Sequence, residues 1–284
     1  MAGSRETPRV SRLPARNTPR RGSCWGESAM SILDVEGVSK RFGGLWALHD
    51  VHVRVEPGTV VGLIGPNGSG KTTLLNVCNG VYAPSEGEVR LDGTPIRSGR
   101  PHRVAAAGVM RTFQDSRVFR TLTAMQNMRV PLLHSRVSEG EVRRRAWELL
   151  EFVHLTDHGN TAASELSGGQ RKLLEFARAL MPRPRLILMD EPLAGVHPEI
   201  KQLLTERIRA ACDDGVSVVV VSHELPALLG VTDHVACLVE GRVLLTGEPA
   251  EVTGDSRVVE AYLGTELGEE LSGGGVAGSE EGVS

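Results

Sequence analysis

The chain has 284 residues, of which 40% are hydrophobic and 24% are charged, a composition typical of a globular protein with a sizeable core. Its formal net charge of −3 gives no overall electrostatic case for a nucleic-acid-binding protein, which usually carries a basic surplus. No apolar run exceeds about seven residues, whereas a membrane-spanning helix needs about 20, so any role at a membrane is expected to work through a partner. The four cysteines are widely separated and lack zinc-type spacing, which favours a reducing compartment.

The two ends of the chain differ in composition from the middle. Residues 1–29 carry six Arg and two Glu with little apolar periodicity, which predicts a disordered basic arm or a stretch upstream of a true start at Met30. Residues 265–284 contain five Glu and no basic residue among many Gly and Ser, which predicts a solvated acidic tail. The folded domain is therefore expected to span residues 30–264.

Apolar runs predict the strands of the first half of this domain. Ile32–Val38 and Ala47–Val55 alternate apolar and polar residues, a pattern typical of half-buried antiparallel strands. Val60–Ile64 is continuously apolar, as expected of a strand buried on both faces. Glu88–Leu91, followed by an Asp-Gly turn, is predicted to complete a small antiparallel β layer.

The second half of the domain combines helical periodicity with further strands. Residues 124–165 change to a helical pattern. Leu186–Met189, Val218–Val221 and Val235–Val239 are apolar runs, and a helical stretch follows each of the first two, which is the alternation of a parallel sheet. The sequence predicts an α/β core with an antiparallel β layer and an inserted helical subdomain at about 115–165.

A glycine-rich motif directly follows the predicted buried strand. Its letters match the pattern GxxxxGK[ST], and it lies between a strand and a helical stretch. The glycines let backbone N–H groups turn inward around an anion, and the helix N-terminus adds its dipole. We expect Lys71 to reach the β- and γ-phosphates of a nucleotide and the Thr72 hydroxyl to bind Mg²⁺. The predicted nucleotide-binding residues are Gly65, Pro66, Asn67, Gly68, Ser69, Gly70, Lys71, Thr72 and Thr73.

Two adjacent carboxylates end a later apolar strand. Asp190 and Glu191 follow Leu186–Met189, at the carboxyl end of a strand, where ligands bind in open α/β sheets. We expect Asp190 to hold Mg²⁺ through water and Glu191 to orient or deprotonate the water that attacks the γ-phosphate. The predicted fold class is therefore an α/β P-loop NTPase core.

A second motif, Leu-Ser-Gly-Gly-Gln at 166–170, opens the next helical stretch. A hydroxyl and backbone N–H groups at a helix start favour a second anion site. Together with the two motifs above, this motif resembles the signature of ABC-type ATPases, and the resemblance covers residues 32–264. It implies a head-to-tail dimer in which the signature motif of one chain caps the ATP held by Lys71 of the other, so an identical or paralogous second subunit is expected. The capping residues are Ser167, Gly168, Gly169 and Gln170.

Three further positions take a role from this resemblance. Gln114 resembles the glutamine that contacts Mg²⁺ and the attacking water, and Phe42 the aromatic residue that stacks on adenine. His223 resembles the histidine that contacts the γ-phosphate and, with Glu191 and Gln114, is assigned to catalysis. One position departs from the family pattern: His197 stands where an acidic residue or Asn is common.

Family-specific stretches narrow the resemblance further. Gly108–Gln114, Val118–Asn127 and the closing Ala-Tyr-Leu-Gly at 261–264 resemble ATP-binding subunits of bacterial branched-chain amino-acid importers. This resemblance implies two transmembrane permease subunits, an indirectly acting solute-binding protein, a peripheral position on the cytoplasmic face of the inner membrane and no nucleic-acid partner. A urea or amide importer, a lipopolysaccharide-type exporter and a soluble ABC ATPase are the alternatives.

Overall fold

The computed structural model describes residues 31–97, 99–222 and 225–262, which form two β-sheets surrounded by helices. The predicted basic arm at 1–29 and acidic tail at 265–284 lie outside the described residues. The strands are β1 (Leu33–Phe42), β2 (Leu45–Val55), β3 (Val60–Ile64), β4 (Glu86–Leu91), β5 (Thr94–Pro95), β6 (Val109–Arg111), β7 (Leu186–Asp190), β8 (Ser217–Val221), β9 (His234–Val239) and β10 (Arg242–Gly247). The helices are α1 (Lys71–Cys78), α2 (Pro101–Ala106), α3 (Ala124–Arg129), α4 (Glu139–Phe152), α5 (Gly168–Leu180), α6 (Pro198–Asp213), α7 (Leu225–Leu229) and α8 (Pro249–Gly254).

The predicted antiparallel layer is confirmed as a four-stranded sheet in the order β2-β1-β4-β5. β1 pairs with β2 from Leu33 opposite Val55 to Phe42 opposite Leu45. Both strands therefore run further toward their shared turn than the apolar alternation predicted. Side chains near that turn, such as Arg41 and Phe42, are exposed, so backbone hydrogen bonds continue the ladder where no buried face imposes a side-chain pattern.

The predicted parallel sheet is confirmed as a six-stranded sheet in the order β10-β9-β3-β8-β7-β6. β9, β3, β8, β7 and β6 are parallel, and β10 pairs antiparallel with β9 at one edge. The two edge strands β6 and β10 were not predicted, because β6 has only three residues and most of β10 is half-buried. All carboxyl ends of the parallel strands consequently lie at one edge of this sheet.

The central strand β3 is buried on both faces, as its continuous apolar run predicted. Val60 and Ile64 belong to an apolar cluster formed with helices α3 to α6. Val61 and Leu63 belong to a second cluster between the two sheets, which also includes α1. The strand that precedes the phosphate loop is thus held by packing on both sides.

Helices α3, α4 and α5 pack together beside the sheets. The guanidinium of Arg145 on α4 donates hydrogen bonds to the carbonyl oxygens of Leu180 and Met181, each at 2.8 Å, and so binds the carboxyl end of α5. An apolar stripe on α4 and at its carboxyl end is buried in the same apolar cluster as α5. Its residues are Val142, Ala146, Leu149, Leu150 and Val153. None of the helices in the described part of the chain is long and apolar enough to span a bilayer.

The buried ring of Phe176 on α5 tests how strongly the helical packing stabilises the domain. Phe176→Ala should lower the free energy of unfolding by about 3–5 kcal/mol, because it leaves a cavity in the core. Phe119→Ala is the control, since that ring is 50% exposed and its loss should cost less than about 1 kcal/mol. Urea unfolding followed by circular dichroism measures both, and equal losses would contradict this account of the core.

Candidate nucleotide site

The predicted phosphate-binding and acidic residues meet at the carboxyl edge of the parallel sheet. The phosphate loop follows β3, Asp190 ends β7, and Glu191 comes next. β8 lies between β3 and β7, so the two segments are close without being adjacent. Gln114 follows β6 beyond β7 at the same edge, as expected for the carboxyl ends of parallel strands.

The phosphate loop leads into a helix N-terminus that no side chain caps. Gly70 adopts φ +105° as the N-cap of α1, and a Cβ there would lie 2.6 Å from the carbonyl oxygen of Ala47. The N–H groups in the first turn of an α-helix have no acceptor within the helix. Because Gly70 offers no side-chain acceptor either, these donors and the helix dipole are available to an anion.

Lys71, the first residue of α1, is 9% exposed and folds back onto the loop. Its Nζ donates hydrogen bonds to the carbonyl oxygens of Gly65 at 2.7 Å and Pro66 at 2.8 Å. Burial lowers the pKa of the Lys71 ammonium, and the nearby carboxylates of Glu191 and Asp190 act in the opposite direction. The structure therefore brings together the cation predicted to bind phosphate and the two acidic residues.

Asp190 forms an ion pair with Arg111, to which the sequence analysis assigned no role. Nη2 of Arg111 lies 3.1 Å from Oδ2 of Asp190, and the side chains are 6% and 10% exposed. The same guanidinium donates through Nη1 to Oδ1 of Asn76 on α1. Arg111 thus ties β6, β7 and α1 together, and in the described part of the chain it engages only one oxygen of Asp190.

Glu191 adopts a left-handed backbone conformation with φ +49°, which is uncommon for a non-glycine residue. Its N–H donates to the carbonyl oxygen of Val221 on β8 at 2.9 Å. Its carbonyl oxygen accepts from Nζ of Lys172 on α5 at 3.0 Å, and the same ammonium donates to Ala194 at 2.9 Å. These bonds hold the strained turn that carries the predicted catalytic carboxylate.

Gln114 lies in an exposed loop whose following residues are attached to α5. The N–H of Arg117 donates to Oε1 of Glu175 at 3.2 Å, and Nη2 of Arg178 donates to the Arg117 carbonyl oxygen at 2.6 Å. Glu175 is 4% exposed, and burial raises the pKa of its carboxyl, an effect opposed by the hydrogen bond from Arg117. The loop of Gln114 and α5 are therefore joined through the polar contacts of Arg117 with Glu175 and Arg178.

The signature motif lies at the N-terminus of α5 and caps its own helix. The Ser167 hydroxyl accepts from the N–H of Gln170 at 3.1 Å, while Oε1 of Gln170 accepts from the N–H of Ser167 at 2.8 Å. The Ser167 proton remains for another acceptor. A Cβ on Gly168 would come within 4 Å of one atom only, the end of the Arg171 side chain, so an anion can approach this backbone closely. No hydrogen bond among the described residues joins 167–170 to the phosphate loop at 65–73.

Two predicted site residues remain, Phe42 and His223, and the structure describes only Phe42. Phe42 ends β1 with a 42% exposed ring, which packs edge-on against Tyr82 with centroids 5.2 Å apart. Nζ of Lys40 lies 4.9 Å from the Phe42 ring centroid. The structure leaves part of this ring open to solvent, as stacking on a base requires. His223 lies outside the described residues.

The oxygen-rich donors at this edge fit Mg²⁺. Thr72 is exposed at the start of α1, Gln114 is exposed in its loop, and one oxygen of Asp190 is not engaged by Arg111. Hydroxyl, amide and carboxylate oxygens are hard ligands, and Mg²⁺ at nucleotide sites uses few protein ligands beside water and phosphate. No cluster of three or more His, Cys, Asp or Glu side chains suited to a metal occurs within 31–97, 99–222 and 225–262.

Four residues that sequence reasoning left without a role contact the predicted site. They are Arg111, Lys172, Glu175 and Tyr262, whose hydroxyl accepts from the N–H of Gly65. Arg111 and Tyr262 stood within stretches that carried the family resemblance, and this was the only signal available for them. Each acts through a side-chain contact between segments that are distant in the sequence.

Two family models match the chain. Residues 48–194 match the ABC transporter model. Residues 242–267 match the model described as branched-chain amino acid ATP-binding cassette transporter. The first match includes the phosphate loop, the signature motif and both predicted acidic residues, and the second includes Tyr262.

Relatives and solved structures agree with these matches. The chain is 37% identical over 249 residues to the high-affinity branched-chain amino acid transport ATP-binding protein BraF of Pseudomonas aeruginosa, covering 82% of this chain and 98% of that protein. The ADP conformation of MJ1267, an ATP-binding cassette of an ABC transporter, is 34% identical with a TM-score of 0.76, covering 83% and 99% of the two chains. The dimeric post-hydrolysis structure of the ATP-binding cassette MJ0796 with ADP and Pi is 29% identical with a TM-score of 0.67, covering 76% and 98%. The chain therefore belongs to the ABC transporter family, as an ATP-hydrolysing cassette.

Proposed function

We propose that this cassette powers an importer of branched-chain or related amino acids by closing a dimer around ATP. The observation that carries the dimer is the separation of the two predicted phosphate-binding motifs. The phosphate loop lies at the edge of the parallel sheet, whereas Ser167–Gln170 lie at the N-terminus of α5, which packs against α3 and α4. The likeness to a dimeric cassette supports a second subunit that supplies the signature motif.

In the proposed dimer, ATP binds between charges and dipoles that are already in place. The first-turn N–H groups of α1 and the Lys71 ammonium hold the β- and γ-phosphates. The Ser167 hydroxyl and the α5 N-terminus of the partner chain approach the γ-phosphate from the opposite side. ATP thus joins the two chains electrostatically, and hydrolysis removes that connection.

Hydrolysis requires a water positioned in line with the γ-phosphorus. We assign the Glu191 carboxylate to orient this water and accept its proton, while the new P–O bond forms. The bond from the γ-phosphorus to the bridging oxygen breaks, and ADP keeps the electron pair. Lys71 stabilises the charge that develops on the phosphate oxygens. Asp190, Thr72 and Gln114 would hold Mg²⁺, which would neutralise part of that charge.

Contacts between the Gln114 loop and α5 offer a route from the nucleotide to a permease. Glu175 and Arg178 on α5 hold the N–H and the carbonyl oxygen of Arg117. A shift at Gln114 would therefore reach α5, which packs against α3 and α4 of the proposed helical subdomain at about 115–165. Residues around 114–122 and the helical subdomain would form the groove that receives a permease helix. Phe119 lies in this stretch and is 50% exposed, as an apolar contact residue of such a groove would be.

The proposed solute is a branched-chain or related amino acid. It is supported by the match of residues 242–267 to the branched-chain transporter model and by the name of the P. aeruginosa relative. Permeases would hold the cassette at the cytoplasmic face of the inner membrane, and a solute-binding protein would act through them. A urea or amide importer and a lipopolysaccharide-type exporter use the same ATPase chemistry.

Removing the Lys71 ammonium should weaken ATP binding by about 10- to 100-fold, because a hydrogen bond to a charged group contributes about 1.5–3 kcal/mol. Titration of Lys71→Ala with ATP, followed calorimetrically, measures this loss. Arg143→Ala removes an exposed cation on α4 and should leave the affinity unchanged. Undiminished affinity in Lys71→Ala would refute the phosphate-binding role.

Glu191→Gln should keep ATP binding while slowing hydrolysis by about 100-fold or more, since the amide cannot accept the proton of water. Because ATP persists, the variant should accumulate as a dimer in gel filtration with ATP and Mg²⁺. Glu206→Gln on the exposed face of α6 is the matched control and should hydrolyse normally. A Glu191→Gln variant that releases phosphate at the normal rate would remove Glu191 from catalysis.

Purification of the tagged chain from gently solubilised membranes should recover two hydrophobic permeases. Reconstitution of that complex with its solute-binding protein should give ATP-dependent uptake of leucine, isoleucine or valine. Uptake of urea instead, or extraction of a lipid substrate, would replace the proposed solute while preserving the transport function. Recovery of ribosomal or DNA-repair proteins without permeases would contradict transport altogether.

A further inference from the structure

The carboxyl-terminal part of the described chain returns to the phosphate loop. After β10 the chain forms α8 and a helical stretch at 256–262. Val252 and Val258 are buried in the apolar cluster that also contains Ile64, the last residue of β3. Tyr262 packs against the same cluster, which places its phenol beside the start of the phosphate loop.

The Tyr262 hydroxyl provides a hydrogen-bond acceptor that the β-sheet does not. Pairing of β3 ends with Ile64 opposite Cys237 on one side and Leu63 opposite Val221 on the other. The next N–H, that of buried Gly65, points to Oη of Tyr262 at 2.7 Å. A buried N–H needs a partner, so this phenol completes the hydrogen bonding of the strand where it becomes the loop.

Gly65 connects the Tyr262 contact to the nucleotide-binding cation. Its carbonyl oxygen accepts from Nζ of Lys71 at 2.7 Å, so the residue is held at both polar backbone groups. A Cβ at Gly65 would lie 1.9 Å from the carbonyl oxygen of Leu238, so β9 blocks movement on that side. The position of the Lys71 ammonium therefore depends on a residue whose N–H is bonded to Tyr262.

The surroundings of the phenol also affect its ionisation. Burial raises the pKa of Tyr262 to about 12, an effect opposed by the Gly65 hydrogen bond and reinforced by Cys237 and Glu191. The hydroxyl therefore keeps its proton at neutral pH.

We propose that Tyr262 is a positioning residue of the nucleotide site: it fixes the backbone of Gly65, whose carbonyl oxygen holds Lys71, and so makes the carboxyl-terminal segment part of the ATP-binding machinery. This inference rests on the proposed role of Lys71. It gives the segment matched by the branched-chain transporter model a physical task in nucleotide binding, separate from any contact with a permease.

Tyr262→Phe tests this role in the full chain, because it removes only the hydroxyl and keeps the ring in the apolar cluster. The Kd for ATP and the KM of hydrolysis should rise about 3- to 10-fold, as expected for one lost hydrogen bond, with a smaller change in kcat. Thr253→Val is the matched control, since it removes a hydroxyl of the same segment whose hydrogen bonds among the described residues are to Pro249 and Ala250 of α8. Its Kd and KM should equal those of the unaltered chain.

A double-mutant cycle separates positioning from general destabilisation. If Tyr262 acts through Lys71, then Tyr262→Phe in a Lys71→Ala background should change the ATP affinity by less than about twofold. Full additivity of the two losses, or an unchanged Kd and KM in Tyr262→Phe, would overturn the inference. Comparison of the unaltered chain with Lys71→Ala tests the proposed function separately. If Lys71→Ala binds ATP as tightly as the unaltered chain, the phosphate-binding role of Lys71 is refuted, and the inference about Tyr262 with it.

Discussion

The nucleotide site depends on one buried cation, the ammonium of Lys71. A charge that is removed from water is costly unless hydrogen bonds and opposite charges compensate for it. Two carbonyl oxygens of the preceding loop accept its hydrogen bonds, and Asp190 and Glu191 add negative charge nearby. The same contacts that compensate the ammonium close the loop over the uncapped start of α1. Loop shape and anion affinity therefore have one physical origin.

A second buried charge organises the acidic side of the site. The guanidinium of Arg111 pairs with Asp190 and also bonds Asn76 on α1, so it links the edge of the sheet to the helix that follows the phosphate loop. Because Arg presents several donors in a fixed plane, a single side chain can orient both partners. The carboxylate proposed to serve Mg²⁺ is thus held relative to the helix proposed to bind phosphate.

Helix α5 contacts elements of both sites in the proposed dimer. Its N-terminus carries the motif assigned to the partner's ATP, while Lys172 binds the Glu191 carbonyl oxygen and Glu175 binds the loop after Gln114. A helix moves nearly as a rigid rod, so displacement of its N-terminus reaches both internal contacts. This connection offers a route between the two sites of the proposed dimer.

The elements that can be predicted from the sequence are those whose pattern lies within a few neighbouring residues. The continuous apolar run Val60–Ile64 predicts a strand with two apolar faces. The spacing of the glycines, lysine and threonine in Gly65–Thr73 predicts a phosphate loop. The partners of Arg111, Lys172 and Tyr262 are apparent only from the tertiary structure. These three residues bind groups that lie 79, 19 and 197 residues away along the chain. Such contacts depend on strand order and helix packing, and no periodicity in the neighbouring residues encodes them. The reactive groups were therefore predicted from local patterns in the sequence, whereas the side chains that contact them were found only when the fold brought distant segments together.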